Sequence, residues 1–198
     1  MRTFIKIISL LSLFVALGSC KTSTVDNSHK SDMVRNVEEL QKADRVIFPG
    51  VGEASYAMKM LKESGLDTLI PTLTQPVLGI CLGMQLMCNH TEEGNTNGLG
   101  IFDTNVVQFS NQVKVPHMGW NTVEVSPSSS LFKGIEDQSF YFVHSYAAKK
   151  PVGISQAWST HNEKFLAAVE DGAIAATQFH PEKSGEAGEQ LLKNFSML

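Results

Sequence analysis

The sequence predicts an α/β domain whose sheet has a parallel core. Short apolar runs, "RVIF" and "PVLGI", each end at a glycine-containing turn and lead into a stretch of helical period. Strand, turn and helix thus alternate through the first half, the pattern of a parallel sheet. The second half offers closely spaced strands instead, and one amphipathic helix closes the chain.

Taken in order, Val34, Val37 and Leu40 fall on one face of a short helix. "RVIF" is a compact buried strand, ended by "PGVG" at residues 49–52. Residues 53–64 read as a helix with Ala54, Met58 and Leu61 inward, stopped by Gly65. A second short helix breaks near Pro71, and "PVLGI" is the next strand. "LGMQLMCN" continues as a helix that includes Cys88, and "TEEGNTNGLG" is a loop. "TNVVQF", "GWNTVEV", "FYFVHSY", "ISQAWS", "FLAAVE" and "AIAATQF" read as shorter strands. The last helix aligns Leu191, Phe195 and Leu198, with Ser184 as its cap.

At 198 residues the chain suits one domain with a sizeable core. Its formal net charge of -4, with no strongly basic patch, speaks against nucleic acid as a partner. Cys20, Cys81 and Cys88 are too few and too oddly numbered for a disulfide framework. With no CxxC pair and no close Cys/His grouping, neither a metal nor another cofactor is expected.

The start of the chain reads differently. Arg2 and Lys6 precede an apolar stretch, Ile7 to Leu17, that ends in "LGSC". A basic start, a short apolar middle and small residues before a cleavage point make a secretory signal. Cysteine after "LGS" resembles a bacterial lipoprotein processing site, with Cys20 lipidated and the polar residues after it a tether. The division is therefore 1–32 as leader and tether, and 33–198 as the domain. The alternative is a first strand and helix, "MRTFIKII" and "SLLSLFVALG", in the core.

The chemistry centres on "GICLGMQ". Gly79 and Gly83 flank Cys81 between a predicted strand and a predicted helix, the cysteine counterpart of a nucleophile elbow. A helix N-terminus there favours thiolate over thiol. That help matters, because a free thiol with a pKa of about 8.5 is only ~3% ionised at pH 7. An inert buried cysteine is the plainer reading, and it suits Cys88. In "QFHPEKSG", His180 ends a strand and Glu182 follows two positions on, on the same side if the chain stays extended. Glu182 would orient the imidazole and His180 would serve Cys81 as base. A surface pair beside a proline turn is the alternative. Oxyanion donors are sought at the Leu82 amide and around Val51, where Gly50 and Gly52 permit unusual backbone geometry. An ordinary glycine turn explains "PGVG" equally well.

"PGVG", "GICLGMQ", "FVHSY" and "HPEKSG", in that order, resemble the class I, triad-type glutamine amidotransferases. "PGVGEA" and "VPHMGWN" narrow the resemblance to the glutaminase subunits of imidazole glycerol phosphate synthase, over about residues 33–198. It implies a three-layer fold with a largely parallel central sheet and additional antiparallel strands. It also implies a catalytic triad of Cys81, His180 and Glu182 that releases ammonia from glutamine through a γ-glutamyl thioester. Gln85 and Glu93 match positions that grip the amino-acid end of glutamine, and backbone near Ser145 and Tyr146 matches the opposite wall.

The resemblance further implies a heterodimer with a barrel-shaped cyclase subunit. That partner uses the ammonia to make imidazole glycerol phosphate and an aminoimidazole carboxamide ribotide. His117, Met118, Trp120 and Lys183 match segments facing it. The family opens with a strand, a Gly/Asn loop, a helix and a second strand, and residues 1–30 lack that loop. A stand-alone thiol hydrolase and a lipid-anchored non-catalytic derivative are the competing readings. A cytoplasmic enzyme is expected, with anchoring through Cys20 as the alternative.

Overall fold

Apolar runs too short for helices form the centre of the molecule. The structure, a computed structural model, describes residues 3–8, 29–34 and 37–198. In chain order, strand β1 (Thr3–Ile8) and β2 (His29–Val34) precede helix α1 (Val37–Gln41) and β3 (Arg45–Gly50). Helices α2 (Ala54–Ser64) and α3 (Leu66–Leu69) lead to β4 (Val77–Cys81) and α4 (Leu82–Met87). Then come β5 (Cys88–Thr91), β6 (Thr96–Asn97), β7 (Phe102–Gln108), β8 (His117–Thr122) and β9 (Glu124–Val125). Strands β10 (Ser139–His144), β11 (Tyr146–Ala148), β12 (Ser155–His161), β13 (Glu163–Asp171) and β14 (Ile174–Thr177) precede helix α5 (Gly185–Phe195).

The central sheet has eight strands in the order β2-β1-β3-β4-β14-β13-β12-β9. Its first five strands run parallel, and β13, β12 and β9 extend it antiparallel. Every residue of β4 is buried, because helices cover both faces of a parallel core. On one face Leu40, Met58, Leu61 and Leu66 of the first helices pack on Val46 and Phe48. On the other, Leu191 and Phe195 of α5 join Phe132, Phe140, Phe142 and Phe179. A four-stranded sheet, β11-β7-β5-β6, and the ribbon β10-β8 complete the fold.

Helix α2 starts and stops where local chemistry says it must. The Glu53 carboxylate accepts from the amides of Ser55 and Tyr56, and Gly65 closes the helix in the left-handed conformation at φ 70.

Four expectations need correction. Val34 ends β2 rather than sharing a helix face with Val37. Strands β1 and β2 fall on the stretches read as a leader and a tether, β2 running across residues 32 and 33. Cys20 and the lipidation reading lie outside the described residues. Cys88 is not helical: it begins β5, fully buried, and burial pushes its thiol up to about 12. The Ser184 hydroxyl does not cap α5, because it donates to the His180 carbonyl at 2.7 Å and accepts from the Tyr141 amide at 3.0 Å. Leu198 lies beyond α5 and is 45% exposed.

Candidate active site

The elbow at Cys81 follows from two neighbouring parallel strands. Gly50 at the end of β3 pairs with Cys81 at the end of β4. The chain then turns at once into α4, which puts Cys81 at φ 53 and ψ −108. A positive φ costs a non-glycine residue on the order of 1–3 kcal/mol, and such strain collects at functional sites. Glycine makes the turn feasible. A Cβ on Gly79 would stand 2.8 Å from Met87 Sδ, and one on Gly50 would stand 2.8 Å from Leu82 Cβ.

His180 comes to this elbow from β14, next to β4 in the sheet. Its amide donates to the Tyr141 carbonyl at 2.9 Å, and its carbonyl holds the Ser184 hydroxyl. Both bonds fix the backbone carrying the ring. Nδ1 lies 2.7 Å from Glu182 Oε1. The pairing expected from an extended chain forms by another route: Pro181–Lys183 is a 3-10 turn, which folds Glu182 back beneath the ring. Nε2 is buried and has no hydrogen-bond partner among the described residues.

Charge balances accordingly. Burial by itself would lower the pKa of His180, but the Cys81 sulfur and the Glu182 carboxylate outweigh it and hold the imidazole up at about 9. Burial would raise Glu182, yet its hydrogen bond to His180 and the charge on that ring keep it below the usual carboxylate range.

A cavity of about 390 Å³ opens in front of Cys81. Cys81, Leu82 and His180 line one part of it, with Gly50, Val51 and Gly52 beside them. Gln85, Glu93, Ser145, Tyr146 and Lys183 complete the predicted set, and Pro116, Val143 and His144 join it. Gln85 is buried and donates to the Tyr146 carbonyl at 2.9 Å. Glu93 is half-buried and accepts from the Ala54 amide at 3.2 Å. Burial raises its pKa, and the nearby Glu53 charge adds to the rise.

The predicted partner residues separate. Met118 and Trp120 on β8 are 62% and 59% exposed, and Lys183 is exposed above the Tyr141 ring. His117 is different. It is buried, with Nδ1 3.0 Å from His144 Nε2 and its ring stacked on His161. Alternate residues of β8 point to opposite faces, and His117 has the inner one.

Sequence reasoning passed over Gln178 and His144. Gln178 is fully buried and donates from Nε2 to Cys81 Sγ at 3.8 Å. Its position two residues before His180, on the same side of an extended chain, was the available signal. His144 Nδ1 lies 2.8 Å from the Tyr146 carbonyl, a contact that only the folded β10–β11 corner creates. Among the described residues no cluster of His, Cys, Asp or Glu could hold a metal ion.

The chain matches the family model "Glutamine amidotransferase class-I" over residues 8–197. It is 56% identical over 163 residues to the imidazole glycerol phosphate synthase subunit HisH of Bacteroides fragilis strain YCH46, covering 80% of this chain and 82% of that one. The same subunit of Escherichia coli K12 is 44% identical over 183 residues, covering 90% and 92%. Among solved structures, a glutamine amidotransferase from Thermotoga maritima aligns with a TM-score of 0.61 at 17% identity, covering 100% of this chain and 84% of that one. PurLQS from the same organism gives 0.65 at 14%, with 98% of each chain covered. These two likenesses speak to the fold. The chain belongs to the class I glutamine amidotransferases and, within them, to the HisH subunits of imidazole glycerol phosphate synthase.

Proposed function

We propose that the chain hydrolyses glutamine to glutamate and ammonia and passes the ammonia to the cyclase subunit of imidazole glycerol phosphate synthase, in histidine biosynthesis. One observation carries the reading. The Cys81 elbow, with His180 and Glu182 behind it, opens into a cavity that Gln85 and Glu93 also line. The 56% identity to a HisH subunit supports the same function.

Cys81 Sγ attacks the carbonyl carbon of the glutamine side-chain amide. His180 Nε2 carries the proton drawn from the thiol and gives it to the departing nitrogen, so ammonia leaves and a γ-glutamyl thioester remains. Water then gives a proton to His180 and its oxygen to the thioester, which releases glutamate and restores the thiol. Glu182 holds the ring through Nδ1. The amides of Leu82 and Val51 serve the oxyanion, with Gly50 and Gly52 giving the loop its freedom. Glu93 meets the α-ammonium of glutamine, Gln85 holds its amino-acid end, and backbone at Ser145 and Tyr146 forms the far wall.

Ammonia that escapes becomes ammonium near neutral pH and loses its nucleophilic lone pair, so transfer has to occur inside a docked complex. Met118, Trp120 and Lys183 form the docking face in this reading. The working enzyme is placed in the cytoplasm, where the phosphorylated substrate of a cyclase would be found. One feature supports that placement: β1 lies between β2 and β3 inside the central sheet.

The test is glutamate release by Cys81→Ala, alone and with a cognate cyclase. Release should vanish while the cyclase still binds. Retention of the parent rate would overturn the nucleophile assignment, and equal rates with and without cyclase in the parent would favour a stand-alone hydrolase.

A further inference from the structure

Behind the nucleophile, buried polar contacts join Cys81 to Gln85 and the Tyr146 carbonyl through Gln178, a residue to which the reaction gives no role. Gln178 Nε2 lies 3.8 Å from Cys81 Sγ, and Gln178 Oε1 accepts from Gln85 Nε2 at 3.1 Å. Gln85 Nε2 also donates to the Tyr146 carbonyl at 2.9 Å, and His144 Nδ1 meets the same oxygen at 2.8 Å. Gln178 and Gln85 are 0% and 5% exposed.

The directions of these bonds are forced. A backbone carbonyl can only accept, so the Tyr146 oxygen requires the amide nitrogen of Gln85 on its side. Both hydrogens of that nitrogen are then committed, one to Tyr146 and one to Gln178. Gln178 must therefore turn its oxygen toward Gln85, which leaves its own amide nitrogen facing the sulfur. A reversed Gln178 would set two donors against each other and turn an acceptor toward Sγ. The sulfur thus meets a donor. Donors favour an anionic partner, and such charge-assisted bonds are roughly twice as strong as neutral ones.

We infer that Gln178 is a positioning residue: its amide holds Cys81 Sγ in the attacking rotamer, steadies the sulfur once its proton has left, and ties it to Gln85. This rests on Cys81 being the nucleophile. It adds a contact that acts on the sulfur alone, separate from the imidazole that moves the proton. Because Gln85 also lines the cavity, the same amide links the end of the site that receives glutamine to the end that reacts with it.

The experiment uses the complex with a cognate cyclase and two variants. Gln178→Met keeps the length of the side chain and loses the donor. Gln178→Glu keeps the shape and turns an acceptor toward the sulfur. Glutamate release is measured across pH, and labelling of Cys81 by iodoacetamide is followed by peptide mass in parallel. Losing a hydrogen bond to a charged group predicts a fall in kcat of about tenfold or more, with KM within about threefold. The pH at half-maximal labelling should rise in both variants, further in Gln178→Glu. A purely structural role would lower the unfolding midpoint and leave the labelling profile in place, which overturns the inference. So would a kcat within about twofold of the parent in either variant. If Gln178→Met fails to fold, Gln178→Glu decides alone. Failure of the nucleophile reading is seen in the parent protein: turnover that survives complete labelling of Cys81 overturns that reading and this inference together.

Discussion

Gly83 lies directly beneath the carbonyl of Phe48: a Cβ added to it would stand 1.9 Å from that oxygen. The contact presses the first turn of α4 against β3, and it sets how far Cys81 projects beyond the sheet. The obstructing atom is backbone, so no side-chain rotation can relieve the clash.

Gly83→Ala is therefore expected to destabilise the protein by about 3 kcal/mol, the upper range for overpacking, and to remove glutaminase activity with it. Thermal unfolding and soluble yield check this. A variant with the parent melting temperature would show that β3 and α4 can separate at no cost.

Glu182→Gln should lower kcat by about tenfold to a hundredfold, less than the loss of about a thousandfold or more expected for His180→Ala. An amide oxygen still accepts from Nδ1, so the ring keeps its orientation. The carboxylate charge that helps hold His180 at about 9 is gone, however, and the imidazole should titrate at lower pH. The readout is His180 followed by NMR. An unmoved titration would mean that Cys81 alone sets it.

Acid should weaken the fold through two buried histidines. Burial holds His117 down at about 4 and His144 at about 3, below an unfolded value of about 6.5. Between those values the unfolded chain binds more protons than the folded one. Stability is fully present above pH ~6.5 and falls as pH drops toward 4, by roughly 1–2 kcal/mol per histidine at pH 5. Urea unfolding at pH 7 and pH 5 measures it, and His144→Gln should flatten the difference. An equal pH dependence in parent and variant would exclude His144 as a source.

Trp120→Ala should reduce cyclase affinity about tenfold or more while leaving the unfolding temperature nearly unchanged. A large exposed aromatic is a frequent anchor of interfaces, and at 59% exposure it contributes little to the core. Binding and melting of the same preparation settle the matter. Parent-like affinity would place the docking face elsewhere.

Much of this was legible because it is local. Gly79, Cys81 and Gly83 announce an elbow by residue type and spacing, and Gly65 ends α2 as left-handed glycines do. Long-range relations were harder to read. A short apolar stretch reads alike as a leader or as a strand of a parallel sheet, and β1 and β2 find partners that periodicity cannot name. His117 matches a partner-facing segment of the family, and only the fold shows Phe109, His144 and His161 enclosing it. Gln178 reads as one more strand residue until the fold sets Cys81 beside it.

The placement of β1 has a consequence for handling the protein. Each strand of a sheet stabilises its neighbour only while the ladder between them persists, and β1 forms ladders with both β2 and β3. A chain shortened to begin at residue 37 would keep every residue of the candidate site and lose both outer strands. The flank of β3 would then be a bare row of amides and carbonyls, inviting strand addition from another molecule. Such a fragment should gather into aggregates before any defect in catalysis could be measured.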